Sequence, residues 1–264
     1  MCATAVHPEQ RVEVFCVPTS AYRKIAASFG RGVVEYDAQA ETMLLPALMN
    51  DVSWEQYDLL LATLPDHRLR HAYDKGTLEM MSPSTSHEWI KKFLARLIEA
   101  MAFTLSIPIK SAGSTTRRSK AAQKGLEPDE SYYIANERLM RDRFDDVPDR
   151  DPPPDLAIEV DVRRAAAKRQ RIYASLGVRE VWRHDGKELR FFRLTANGKY
   201  ERITESLSFP FLEPGDFDRF IKLKGTLEEN ELVGAFLDLA RAKFAKKSGP
   251  RATKKKSAKK KKGP

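Results

Sequence analysis

Residues 155–162 read DLAIEVDV, a continuous apolar run interrupted near its far end by Glu159 and Asp161. An apolar run without polar alternation belongs to a strand covered on both faces, the buried centre of a sheet. Side chains alternate between the two faces of a strand, so residues 159 and 161 point the same way and repel each other. A metal ion, an arginine or lysine partner, or solvent would each answer that repulsion.

Downstream, VRRAAAKRQRIYASLG reads as a helix ended by Gly177, a good residue for a left-handed C-terminal cap. VREVWRHDGKELRFFRLTANGKYERI follows as strands joined by Asp185-Gly186 and Asn197-Gly198 turns. Residues 226–244 look helical and lead into the tail. Upstream, ERLMRDRFDDVPDRDPPP is polar and proline-rich, the composition of a surface connection. EPDESYYIAN reads as a strand with Asp129 at its start, and IPIKSAGSTTR as another.

In HEWIKKFLARLIEAMAFTL, residues Ile90, Phe93, Leu94, Leu97, Ile98 and Met101 recur at helical spacing, predicting a long helix packed on the core. Lys91, Lys92, Arg96 and Glu99 are expected to face outward. RLRHAYDKGTLEMMS carries two short strand-like runs about Asp74-Lys75-Gly76, a hairpin signal. SWEQYDLLLATLP opens on Ser53 with Gln56 in capping-box position, the start of a helix. The first 50 or so residues carry weaker signals: a short strand at VEVFCV and helical patches at 21–29 and 38–45, the second stopped by Pro46.

This order of elements, with no internal repeat, predicts an α/β or α+β fold around one mixed sheet. The expected division is an N-terminal segment at 1–52, the main domain at 53–225, a C-terminal helix at 226–245 and a tail at 246–264. The chain has 264 residues and 42% hydrophobic content, enough for a proper core. Cys2 and Cys16 lack zinc-ligand or CxxC spacing, which argues against a disulfide framework and fits a reducing cytoplasm. No signal-peptide pattern and no spanning apolar run is present, so a soluble protein without membrane contact is expected.

The net charge is +9, but residues 246–264, KKSGPRATKKKSAKKKKGP, hold nine Lys and one Arg with no acid, which leaves −1 on the rest. Such a tail cannot bury apolar surface and is expected to stay disordered; its cations suit nonspecific attachment to DNA or RNA, with plain solubilisation as the alternative.

Three acids lie on strand-like segments: Asp129, Glu159 and Asp161. Burying an ionised carboxylate is costly unless it is paired or coordinated. Salt bridges, for example to Arg163 or Arg164, would satisfy them. So would a divalent cation, since Mg²⁺ takes hard oxygen ligands, commonly one or two carboxylates with waters and phosphate oxygens. The helix after the strand offers Lys168, Arg169 and Arg171 as cationic helpers. Glu88, in the first turn of the long helix, has the ordinary explanation of favouring the helix dipole. Trp89 and Trp182 are expected to pack in the core and His184 to be exposed.

The succession LEMMSPSTSHEWIKKFLARLIEA, SAGSTTRR, GLEPDESYYIANE, PPPDLAIEVDV and RIYASLGVREVWRHDGKELRFFRL resembles the bacterial family of putative restriction endonucleases in the PD-(D/E)XK superfamily, from about residue 69 to about 212. The resemblance implies a restriction-endonuclease-like core, a mixed sheet flanked by helices, that binds Mg²⁺ or Mn²⁺ and hydrolyses phosphodiester bonds in DNA. It makes Asp129 in EPDES and Glu159 in AIEVDV the metal ligands and Glu88 an extra helix acid; Asp161 beside Glu159 reads as an auxiliary acid. Two residues after Glu159, where the motif places lysine, this chain has Asp161. The family's lysine position falls in the next helix, where Arg169 stands with Lys168 beside it. Arginine stabilises phosphorane-like charge but does not readily deprotonate water. A noncatalytic DNA-binding or accessory protein retaining the fold is therefore the alternative, and a purely structural acid network a third. A double-strand cutter can work as a symmetric homodimer, although no stretch here designates an interface.

Overall fold

The computed structural model describes residues 47–63, 70–81, 83–144, 150–161 and 166–248. The chain runs through β1 (Ala47–Met49), α1 (Trp54–Thr63), β2 (Arg70–Asp74), β3 (Thr77–Met81), α2 (Thr85–Thr104), β4 (Lys110–Ser111), β5 (Arg117–Ser119) and β6 (Lys124–Leu126). It continues through β7 (Glu130–Tyr133), α3 (Glu137–Met140), β8 (Leu156–Val160), α4 (Ala166–Ser175), β9 (Glu180–His184), β10 (Leu189–Leu194), β11 (Tyr200–Ile203), α5 (Pro214–Ile221) and α6 (Glu229–Ser248).

The run at 155–162 becomes β8, and all five of its residues are buried, as a strand covered on both faces requires. It lies inside a six-stranded sheet of order β11-β10-β9-β8-β7-β4. Its pairing with β9 is parallel, so the chain needs a long crossover between them, and α4 is that crossover. The pairing with β7 is antiparallel.

The two faces of β8 differ. Leu156, Ile158 and Val160 enter a large apolar core with the α2 residues Ile90, Phe93, Leu94, Leu97, Ile98 and Met101. Trp182 stacks on Phe191 in the same core, ring centroids 4.1 Å apart. Ala157 faces the other way, into a smaller cluster with Ala72, Leu126, Ile172 and Tyr173. That cluster joins α4 to β2 and β6 of a second sheet.

Where one mixed sheet is predicted, two are present among the described residues. The second is antiparallel throughout, of order β1-β3-β2-β6-β5. The stretch expected to be one strand at 107–117 divides between them: β4 pairs with β7 in the six-stranded sheet, and β5 with β6 in the other. The expected β2–β3 hairpin is present, with Lys75 and Gly76 both at positive φ in its turn. Ser53 and Gln56 form the capping box of α1: the Ser53 N–H donates to Gln56 Oε1 at 2.7 Å and the Gln56 N–H to Ser53 Oγ at 3.1 Å.

The structure revises four further readings. Lys91 is buried rather than outward, because it folds back on Glu88. His184 is 1% exposed rather than solvated: it ends β9, a covered central strand, and its Nδ1 accepts from the Gly186 N–H at 3.0 Å. Trp89 is only partly buried against the core it was expected to enter. The polar connection after β7 holds the short helix α3, with Met140 fully buried. Asp155 ties down its start, accepting from the Ile134 and Asn136 backbone N–H groups at 2.8 Å each. Helix α5 carries no expectation from the sequence, while α6 realises the predicted C-terminal helix and packs against α2. The predicted N-terminal elements before residue 47, both cysteines and tail residues 249–264 lie outside the described residues. No helix among the described residues is long and apolar enough to cross a membrane.

Candidate active site

Asp129 lies in the three-residue link by which the chain leaves β6 in one sheet and enters β7 in the other. Glu130 pairs with Ile158, and the Asp129 N–H donates to the Ile158 carbonyl at 3.2 Å. One step further along that antiparallel register, Asp129 stands across from Glu159, on the same face and within reach of it. Two acids thirty residues apart in sequence therefore meet at the seam between the sheets.

Both are buried, Asp129 2% and Glu159 5% exposed. Asp129 Oδ2 accepts the Val160 N–H at 2.7 Å and lies 3.0 Å from His87 Nε2, in the first turn of α2. Its Oδ1 has a longer ion pair with Arg70 Nε, 3.8 Å away. Glu159 is held from α4. Arg169 Nε lies 3.0 Å from its Oε2, and the Tyr173 hydroxyl donates to its Oε1. Arg169 and Tyr173 are one helical turn apart and so share a face. Arg169 also donates through Nη2 to the Glu127 carbonyl at 2.8 Å. Lys168, one residue earlier, is exposed.

Asp161 lies one residue past the end of β8, partly buried, its N–H donating to the His184 carbonyl at 2.8 Å. Glu88 is set back: it contacts Lys91 Nζ at 3.2 Å and His87 Nδ1 at 3.4 Å, and so bears on Asp129 through the histidine.

Burial is the largest influence on both central acids and raises each, and their different partners drive them apart. Burial raises Asp129, but the hydrogen bond and charge of His87, with Arg169 and the Val160 N–H, more than offset it and hold the carboxyl below its usual range. Burial pushes Glu159 up to about 7; Arg169 opposes the rise, while Asp129 and Asp161 add to it. Burial lowers His87, yet Asp129 and Glu88 more than compensate and its pKa rises. Asp129 is therefore the ionised member of the pair, and Glu159 carries the strain of burying a second negative charge beside it.

Further residues join the site without having been selected from the sequence. Arg70 bonds Glu127 Oε1 at 3.2 Å as well as approaching Asp129. Glu79 of β3 is raised by burial and feels the charges of Arg169, Lys168 and Asp161. The signal for Glu79 was available: it is an acid between Leu78 and Met80 in a strand that reads TLEMM. Tyr173 was legible only as the residue one turn beyond Arg169.

Among the described residues, no group of three or more His, Cys, Asp or Glu is arranged to hold a metal. The donor chemistry nonetheless suits a hard cation, since two buried carboxylates opposed across adjoining strands supply the one or two protein ligands that Mg²⁺ takes while keeping its waters. A positive charge between them would also relieve the repulsion that raises Glu159.

A mixed sheet flanked by helices is the fold of a restriction-endonuclease-like protein. The chain belongs to the Uma2 family, described as putative restriction endonucleases, whose model matches residues 54–216. That span contains both sheets from β2 onward, the two central acids and α4. A crystal structure from Anabaena variabilis ATCC 29413, described as a putative nuclease belonging to DUF820, is 16% identical, covering 67% of this chain and 96% of that chain with a TM-score of 0.42. No curated protein matches the chain.

Proposed function

We propose that this protein is a divalent-metal-dependent endonuclease that hydrolyses phosphodiester bonds in DNA, with Asp129 and Glu159 as the ligands of Mg²⁺ or Mn²⁺. The observation that carries this reading is the meeting of these two buried acids across β7 and β8. When bound, the cation supplies an activated water and stabilises charge on the phosphodiester. Asp129, kept ionised by His87 and the Val160 N–H, presents a carboxylate that is already oriented. Arg169 supplies fixed positive charge for the developing phosphorane. Because it stays protonated, the proton of the attacking water goes to another group. Asp161 is an auxiliary acid beside Glu159, Lys168 contributes charge from the surface, and Glu88 positions His87. The Lys-rich tail holds DNA nonspecifically and the protein works in the cytoplasm.

The test is incubation of purified protein with supercoiled plasmid and single-stranded DNA in Mg²⁺ or Mn²⁺, beside Asp129→Ala, Glu159→Ala and a truncation ending at Ala245. Cleavage is expected to disappear in both acid variants and to weaken in the truncated chain. Absence of metal-dependent cleavage on every substrate would sink the proposal. One observation favours a second reading, a noncatalytic DNA-binding protein: the cation on Glu159 is an arginine, not a lysine. That reading expects salt-sensitive DNA binding that survives Glu159→Ala, with no cleavage.

A further inference from the structure

We infer that Arg169 is a built-in counter-cation that competes with the divalent metal for Glu159, so that metal loading requires the arginine to give up its carboxylate oxygen. The inference rests on the metal-site reading above and adds a resident occupant to it.

Both oxygens of Glu159 are already engaged: Oε2 forms an ion pair with Arg169, whose Nε lies 3.0 Å away, and Oε1 accepts the Tyr173 hydroxyl. The side chains of the ion pair are 5% and 6% exposed, so water screens it little. A hard cation taking Glu159 needs one of the same two oxygens, and its two positive charges arrive at ion-pair distance from a guanidinium that stays charged. The two cations therefore repel each other across one carboxylate and compete for its charge.

The local sequence explains why the competitor exists. A lysine two residues after Glu159 would lie on the same strand face, beside the carboxylate. Here that position is Asp161, which adds negative charge, and the neutralising cation arrives from α4 instead. Lys168 is exposed and does not fill this place. Arg169 is also tethered by its second contact, Nη2 to the Glu127 carbonyl at 2.8 Å. A guanidinium displaced from Glu159 thus keeps an anchor at the seam, next to where substrate phosphate would lie. In this arrangement Arg169 first keeps the metal-free acids from repelling and afterwards faces the substrate.

The test is Mn²⁺ binding by isothermal titration calorimetry, in the absence of DNA, to the wild-type chain, Arg169→Met, Arg169→Lys and each combined with Asp129→Asn. Arg169→Met removes the charge at similar length and is expected to bind Mn²⁺ on the order of tenfold tighter or better. Arg169→Lys keeps a charge on a shorter, more mobile stem and is expected to fall between Met and wild type. It decides the matter alone if Arg169→Met does not fold. Asp129→Asn should abolish the gain in both. Equal or weaker Mn²⁺ binding in the folded Arg169 variants overturns the inference and leaves the metal site standing. Absence of Asp129-dependent Mn²⁺ binding in every variant overturns the metal site and the inference together.

Discussion

The two faces of β8 put contrasting chemistry on one five-residue strand. On one side Leu156, Ile158 and Val160 meet the apolar stripe of α2 in the large hydrophobic core. On the other, one residue away along the chain, Glu159 meets Arg169, Tyr173 and, across the strand pair, Asp129. The first face is held by burial, which is non-directional and tolerates nothing smaller. The second is held by directed bonds between charged groups, whose energies largely cancel against the cost of desolvating them. The difference teaches that stability and chemistry here are separable by side-chain direction alone.

The comparison is broken most severely on the apolar face. Phe93→Ala removes a 1% exposed ring from the large core and is expected to cost about 3–5 kcal/mol in urea unfolding. A loss below about 1 kcal/mol would mean that this face is not the one that holds the fold.

The charged face should reveal itself through pH. Glu159 has a folded pKa of about 7 against an ordinary value of 4.5, so its contribution is fully present below about 4.5 and is lost as pH rises through 7. His87 is raised as well and adds the same sign above its ordinary 6.5, whereas Asp129 is lowered and gives a loss only as pH falls below 3.8. The unfolding free energy of the metal-free protein is therefore expected to fall from pH 5 to pH 8, by up to about 3 kcal/mol from Glu159. Denaturant titrations at unit pH steps check this, and Glu159→Gln should flatten the slope. A profile that Glu159→Gln leaves unchanged across the window would show that Arg169 keeps Glu159 ionised throughout.

Smaller substitutions sharpen the contrast. Tyr173→Phe keeps the buried ring but removes the hydroxyl donor to Glu159, for an expected loss of about 1–2 kcal/mol. Lys168→Ala, one helix position from Arg169, should change stability by less than about 0.5 kcal/mol, because the side chain is exposed. Equal effects of Lys168→Ala and Arg169→Met on stability would erase the distinction between these neighbours.

Much of the fold was legible because its local signals are strong. The α2 stripe, the capping box at Ser53, the hairpin at Asp74-Lys75-Gly76 and the unbroken run of β8 all follow from short-range periodicity and turn chemistry. The division of strands into two sheets was not, because pairing joins segments far apart in the chain. β5 and β6 are too short, three residues each, to carry an alternation pattern of their own. His184 illustrates the same limit: its Asp-Gly turn points to a surface position, yet it is buried, with Asp218 of α5 3.8 Å from its Nε2.

By itself, the sequence determined that a doubly covered strand exists at 155–162, that an acid stands on it, that another begins the strand at 130, and that the C-terminal charge is segregated from a near-neutral body. Only the tertiary structure decided which cation Glu159 meets. Lys168 and Arg169 are adjacent in sequence but about 100° apart around a helix, and the packing of Ile172 and Tyr173 against Ala157 and Leu126 sets the helix rotation that turns Arg169 inward. That rotation depends on contacts with both sheets at once, so no local window of residues contains it.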